Sequence, residues 1–359
     1  MKKYVIAVLA MVLMTLSAPP AGASHYQRVE VMSQNLYIGA DLSLLLTGQA
    51  TPADLLATVA QTDYRARAVE IAQGIDDFNP DLIGLQEVSL ITVFTFDAEG
   101  NQVILQQDDY LQILMDELAI VDDRYEVAAS VTNANVTLPI DPVNNVFGQV
   151  VDRDVVLYRN TTTTIDPESI ETGNFAATFT PSFAGVPVPF LRGYVGLDAE
   201  VHGRDFRFVN THLEVSAADG GICLTADGEP FACQEAQATE LVEVMAGDDR
   251  QTILVGDINA EPGGPAYQTL VDGGYTDTWT IRYPNPRESG VTCCQSETLD
   301  NVENQLSKRI DHIFIENSID PRWTVTTVVG DWEERKTKTT PVPLWYSDHG
   351  GPWARLYLS

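Results

Sequence analysis

Positive charge is scarce in this chain: 21 Lys and Arg stand against 51 Asp and Glu in 359 residues, for a formal net charge of −30. Such a surface repels polyanions. It argues against tight or processive binding of nucleic acid, which relies on Lys and Arg to neutralise phosphates, although a metal-rich site offsets the charge locally. Cysteine is also scarce, with four in all and no CxxC pair, which leaves little basis for a structural zinc site. Beyond residue 23 no apolar run reaches the length of a membrane span. No internal repeat, low-complexity tract or Gly/Ser- or Pro-rich linker interrupts the sequence. One large domain with loop insertions, residues 24–359, is therefore expected rather than two average ones.

The first residues do carry a signal. Met1-Lys2-Lys3 precedes an apolar run from Val5 to Leu16 and then Ala21-Gly22-Ala23, the charged start, hydrophobic middle and small-residue cleavage site of a secretory leader. Residues 1–23 are expected to be removed, giving a secreted or periplasmic, monomeric product with no stable protein partner and no transmembrane anchor. In an exported chain disulfides are the default state of cysteine. Cys223 and Cys233 flank the polar stretch Leu224 to Ala232 and could close it, while Cys293 and Cys294 are neighbours. A bond between neighbours is strained, so cross-pairing of the two loops stays open, and four cysteines allow three connectivities.

Periodicity predicts strands alternating with helices. Val29 to Asn35 alternates as a half-buried strand does, with Asn35 at its end. Asp63 to Phe78 has helical spacing, is stopped by Asn79-Pro80-Asp81, and leads into the apolar run Leu82 to Leu85 with Glu87 just beyond it. Thr92 to Phe96 and Gln102 to Gln106 predict a hairpin. A helix is expected over Tyr110 to Ala119, a short buried strand over Asp154 to Tyr158, and a long irregular excursion over Asn160 to Pro189. Then come a strand pair, Tyr194 to Val201 and Asp205 to His212, a helix from Ala236 to Met245, and strands at Thr252 to Val255, Ile310 to Ile315 and Ala354 to Leu358. This alternation indicates an α/β sandwich.

Polar residues gather where these strands end. Thr252-Ile253-Leu254-Val255-Gly256-Asp257-Ile258-Asn259 delivers a carboxylate and an amide two residues apart, able to address one bound group or simply to cap backbone amides as an Asx turn. Ser347-Asp348-His349-Gly350-Gly351 sets an acid beside an imidazole, suited to proton transfer near neutrality or to a surface turn. His212 ends an alternating strand, where a histidine is more often a hydrogen-bonded core residue than a catalyst. Glu87, ending an apolar strand, needs a cation or imidazole beside it if buried. Asp311, within Lys308-Arg309-Ile310-Asp311-His312, has Arg309 and Lys308 as candidate salt-bridge partners.

The order of these fragments is more specific than any one of them. Asn35 after a first strand, Gln86-Glu87 after a second, then Asn210-Thr211-His212, Gly256-Asp257-Ile258-Asn259, Arg309-Ile310-Asp311-His312 and Ser347-Asp348-His349 resembles the endonuclease/exonuclease/phosphatase superfamily over nearly the whole of residues 24–359. The resemblance implies a four-layer α/β sandwich, two mixed sheets face to face with helices outside, and a metal-dependent phosphoester hydrolase. It implies Glu87 as principal metal ligand with Asn35 and Asp348 nearby. Asp257 and Asn259 would position water and phosphate, Asp311 would hold His349, and His212 would meet a phosphoryl oxygen or the leaving group. Oxygen donors without thiolates select a hard cation, Mg²⁺ first, with Mn²⁺ or Ca²⁺ as substitutes.

Substrate choice should reside in insertions. The hairpin after Glu87, the Cys223 to Cys233 loop and the Arg282 to Ser307 loop are expected to rim the site. Arg192 is a candidate phosphate contact, with Arg153, Arg282, Arg287, Lys308 and Arg309 as further local cations. Nucleic acid (DNA or RNA) is the first substrate expected, a phospholipid headgroup or a sugar or inositol phosphate the second, and an inactive binding protein the third.

Overall fold

A computed structural model of the chain describes residues 27–358 except 184–185, 248–249, 286–288, 322 and 331–335. The expected leader, residues 1–23, lies outside the described residues. One sheet has eight strands. Its order is Trp323–Val329, Gly351–Leu358, Gln27–Asn35, Leu82–Gln86, Val146–Arg159, Leu90–Phe96 and Gln102–Asp109, with Tyr125–Asp141 on the opposite edge of Val146–Arg159. The second, six-stranded sheet runs Tyr275–Asp277, Asp311–Glu316, Thr252–Asp257, Arg204–His212, Gly193–Val201 and Thr163–Asn174. Both sheets are mixed, because Gln27–Asn35 is parallel to Leu82–Gln86, and Arg204–His212 to Thr252–Asp257, in otherwise antiparallel surroundings.

Three hydrophobic cores separate four layers, as expected. Alternation along the strands sends side chains to both faces. Met32, Ile83 and Leu157 pack outward against Ile71 and Ile75 of helix Tyr64–Phe78 and Leu114 of helix Tyr110–Val121. Val29, Val31, Val156, Phe206, Phe208, Ile253 and Ile313 fill the space between the sheets. Val209, Leu254 and Phe314 meet Leu241 of helix Cys233–Met245 and Leu270 of helix Pro265–Asp272 on the far side. Strands covered on both faces read as continuous apolar runs, which is why Leu82 to Leu85 and Ile253 to Val255 were legible.

The sheets approach closely at Gly84, where a β-carbon would lie 2.5 Å from Val255 Cγ2 and crowd the Asn210 amide. Only glycine fits that contact.

Two expectations need correction. The stretch read as an irregular excursion contains the edge strand Thr163–Asn174, which pairs with Gly193–Val201. Its Thr and Ile residues favour an extended edge, and Pro167 is accommodated where the register shifts opposite Gly196 to Asp198. The strand predicted over Asp154 to Tyr158 is the end of a longer one, Val146–Arg159. It is paired along most of its length with Tyr125–Asp141, whose largely solvated face and bulges blur the alternation.

A buried ion cluster secures the second sheet's edge. Asp277 Oδ1 accepts from Trp279 N at 2.9 Å, capping helix Thr278–Arg282, and its Oδ2 pairs with Arg309 and with His312 Nδ1 at 3.3 Å. Burial works against the carboxylate, yet His312 and Arg309 hold its pKa down to about 2. A carboxyl with a lowered folded pKa adds stability above its unfolded pKa that is lost as pH falls through the folded one. Asp277→Asn should cost on the order of 2 kcal/mol at neutral pH, with the gap from wild type closing between about pH 4 and pH 2. Urea unfolding across that range checks this. Gly84→Ala should cost about 1–3 kcal/mol by overpacking, seen as a lower Tm with the pH profile unchanged.

Candidate active site

Strand register alone brings most of the predicted residues together. Asn35 lies opposite Gln86 at the parallel carboxyl ends of the first sheet, so Glu87 emerges beside it. In the second sheet His212 lies opposite Asp257, and Asp257 opposite Asp311. Facing of the sheets then joins the two groups. Asn35 Nδ2 donates to Glu87 Oε1 at 3.0 Å and to Asp257 Oδ2 at 3.1 Å, one amide spanning both sheets. The Ser347 hydroxyl donates to the Asn35 carbonyl at 2.7 Å, docking the loop that carries Asp348 and His349.

Each functional side chain has its own restraint. Glu87 sits at φ 55° and Asn259 at φ 53°, left-handed conformations that cost about 1–3 kcal/mol each and are held by their surroundings. Ile38 N donates to Glu87 Oε2 at 2.8 Å, and Asn259 N to Asp257 Oδ1 at 2.9 Å. Asn259 Nδ2 is 2.9 Å from the Leu213 carbonyl and 3.2 Å from His212 Nε2. Arg192, the candidate phosphate contact, places Nη1 3.0 Å from His212 Nδ1 and ion-pairs with Glu214 at 3.4 Å. Arg309, a candidate partner of Asp311, pairs with Asp277 instead. Asp311 Oδ2 therefore serves His349 alone among these, at 2.7 Å from Nδ1.

The electrostatics divide the two histidines. Burial and the Arg192 guanidinium push the pKa of His212 well below the usual value, so it is neutral. Burial opposes charge on His349 as well, but Asp311, Asp348 and Asp257 outweigh it and hold the ring cationic. Asp257 is pushed up to about 7 by burial and by Asp311. Asp348 reaches about 7 through burial, with His349 opposing and Glu87 reinforcing. Burial is the main cause of both raised values, and a neighbouring carboxylate adds to each.

The donor set fits a hard divalent cation. Glu87, Asp348 and Asp257 offer carboxylate oxygen, whereas the Asn35 Oδ1 already accepts from Tyr37 N at 2.9 Å; no free thiol exists among the described residues, and Asp311 Oδ1 is buried without a partner. Asp257, Asp311 and His349 bring ligand atoms within 4.8 Å of one another. Within that group His349 Nδ1 and Asp311 Oδ2 are already committed to each other.

Both disulfides join the nearer cysteines: Cys223 to Cys233 and Cys293 to Cys294. Cross-pairing of the loops does not occur. The second bridge lies in a strap that ties the Asp311 strand to the His349 loop. Thr292 Oγ1 accepts from Ile310 N and Asp311 N, both at 3.1 Å, while the Thr292 carbonyl accepts from Gly350 N at 2.6 Å. Gln295 N donates to the Asp348 carbonyl at 3.0 Å. Sequence reasoning missed Thr292, and no local pattern marks it. It also missed Asn133, Asp152 and Asp154, although two acids alternating just before Val155-Val156-Leu157 were a signal of buried charge.

The family model for endonuclease/exonuclease/phosphatase proteins matches residues 59–349. The chain belongs to that family. Members hydrolyse phosphate esters, and the chain is an enzyme of that class. Solved structures agree in fold. A mannosyl-6-phosphatase from Bacteroides thetaiotaomicron is 18% identical, with TM-score 0.54 over 91% of this chain and 98% of that one. A family protein from the same organism is 19% identical, with TM-score 0.56 over 93% and 99%. One from Leptotrichia buccalis is 16% identical, with TM-score 0.54 over 92% and 99%. No curated protein matches the chain.

The strap gives this family member a test. Thr292→Val leaves two amides without their acceptor and should lower stability by about 1–3 kcal/mol, whereas Thr292→Ser should melt within about 0.5 kcal/mol of wild type. Equal losses in both variants would show that the hydroxyl is not what holds the strap.

Proposed function

We propose that the chain is an exported, divalent-metal-dependent hydrolase of phosphate esters, with Mg²⁺ its ion and Mn²⁺ or Ca²⁺ able to substitute. The observation that carries this is the Asn35 amide joining Glu87 of one sheet to Asp257 of the other, with His349 and Asp311 paired beside them. Glu87 and Asp348 would hold the ion, with Asn35 beside them. Bound there, it would stabilise charge on the phosphoryl oxygens.

The chain's own residues supply the rest. Asp257, raised toward neutrality and steered by Asn35 and Asn259, takes a proton from water as the water oxygen bonds to phosphorus. The ester oxygen then departs with the bonding pair. Because it is buried, with Arg192 lying against it, His212 stays neutral and acts with Asn259 as a hydrogen-bonding group for phosphoryl oxygen rather than as the acid. His349, kept cationic by Asp311, offsets the growing negative charge and is the proton source for the leaving group. No covalent enzyme intermediate is required. Export is supported by two disulfides.

The sequence ranks nucleic acid first, but the placement of cations favours a small phosphate ester. Arg153, Arg192 and Arg309 are committed to Asp109, Glu214 and Asp277, leaving few to follow a polyanion. A phospholipid headgroup is the second reading. It is favoured by Phe96, Val103, Ile104 and Leu105, 40–55% exposed on the hairpin next to Glu87.

With bis-p-nitrophenyl phosphate, chelator should abolish turnover and Mg²⁺ or Mn²⁺ restore it, while Asp257→Ala and His349→Ala should each lower kcat by about 10²–10⁴. In a panel of sugar phosphates, sphingomyelin vesicles, plasmid DNA and RNA, sugar phosphates should be the best substrates. Preferred cleavage of vesicles would select the lipid reading, and of DNA or RNA the nuclease one. Metal-independent turnover, or turnover indifferent to both substitutions, would defeat the mechanism.

A further inference from the structure

Beside this site lies a set of buried polar atoms without a hydrogen-bond partner. Among the described residues twelve buried side-chain nitrogen or oxygen atoms lack a hydrogen bond, and five belong to Asn133, Asp152 and Asp154. Both Asp154 oxygens and both polar atoms of the Asn133 amide are affected, with Asp154 0% and Asn133 1% exposed. Asn133 lies against the Asp154 carboxyl without meeting the geometry of a hydrogen bond. Unsatisfied buried polar atoms are costly and call for an occupant.

Backbone architecture converges these groups. Asp152 and Asp154 are two apart on Val146–Arg159 and share the face of Val156, which packs between the sheets. Asn133 is the extra residue of a bulge, since the register steps from Thr132 opposite Arg153 to Ala134 opposite Asp152. Bulges re-aim a side chain that regular pairing would place elsewhere.

The nearby cations are committed elsewhere. Arg153 donates to the Val88 carbonyl at 2.9 Å and pairs with Asp109, and Arg192 is held by Glu214 and His212. Asp152 and Asp154 flank Arg153, whose carbonyl accepts from Val88 N at 2.9 Å in the interval between the two strands paired with this one, so the cluster lies alongside Glu87.

We propose that Asn133, Asp152 and Asp154 form a second cation site, adjoining the one at Glu87 and taking a hydrated divalent ion. This deepens the metal-dependent reading above and rests on it. Carboxylate and amide oxygens without sulfur or imidazole select a hard cation, and two carboxylates with one amide leave coordination positions to water, as Mg²⁺ commonly requires. Asp152, half-buried while Asp154 is enclosed, would form the entrance from the catalytic side.

Mn²⁺ serves as the probe, in the full chain. Paramagnetic resonance titration should count two bound ions in wild type and one each in Asp154→Asn and Glu87→Gln, while Asn133→Ala should weaken the second ion by about 10-fold or more. Anomalous diffraction from Mn²⁺-soaked wild-type crystals should give one peak at Glu87 and another between Asp152 and Asp154. This second measurement decides the matter if Asp154→Asn does not fold. A peak at Glu87 alone overturns the second site and leaves the metal-dependent reading standing. No peak at Glu87 overturns that reading itself.

Discussion

One amide governs the site. Asn35 reaches from the first sheet to Glu87 and, across the sandwich, to Asp257, so the distance between two repelling carboxylates is set by the packing of the sheets. That packing depends on apolar contact between Val31, Val156, Phe208 and Ile253 and on the bare backbone of Gly84. A core that is close-packed and little compressible transmits its dimensions directly to the reacting groups. The Ser347 hydroxyl on the Asn35 carbonyl extends the same control to His349.

What the sequence revealed and concealed follows from range. Asn35, Glu87, His212, Asp257 and Asp311 end or begin strands whose apolar runs mark them locally, and parallel or antiparallel register carries them to one place. Asp348 and His349 were visible as an acid and imidazole in a glycine turn. Thr292 was not, because its role lies in accepting amides contributed by residues 18 and 19 positions later. The strand Thr163–Asn174 was hidden by its polar edge composition, and the partner of Arg309 by a contact 32 residues away. Pairing of adjacent Cys293 and Cys294 was left open for a similar reason: spacing alone does not rank connectivities.

Charge organises the chemistry as well as the surface. A chain at −30 concentrates carboxylates where water is excluded, and Arg192 and the ring of His349 stand among them. Burial and Arg192 keep His212 neutral while Asp311 overcomes burial to ionise His349, so two imidazoles in one cleft acquire opposite duties from their surroundings rather than from their own chemistry.

The break in the first sheet at Glu87 has an architectural consequence. Leu82–Gln86 and Leu90–Phe96 both pair with Val146–Arg159, the first with its later half and the second with its earlier half, and Glu87 occupies the interval between them. The long strand acts as a common rail, and Val88 N is fastened to it through the Arg153 carbonyl. A hairpin hung beyond that fastening can grow, shrink or exchange its tip through descent without shifting the carboxylate, so recognition is free to diversify while the chemistry stays in register.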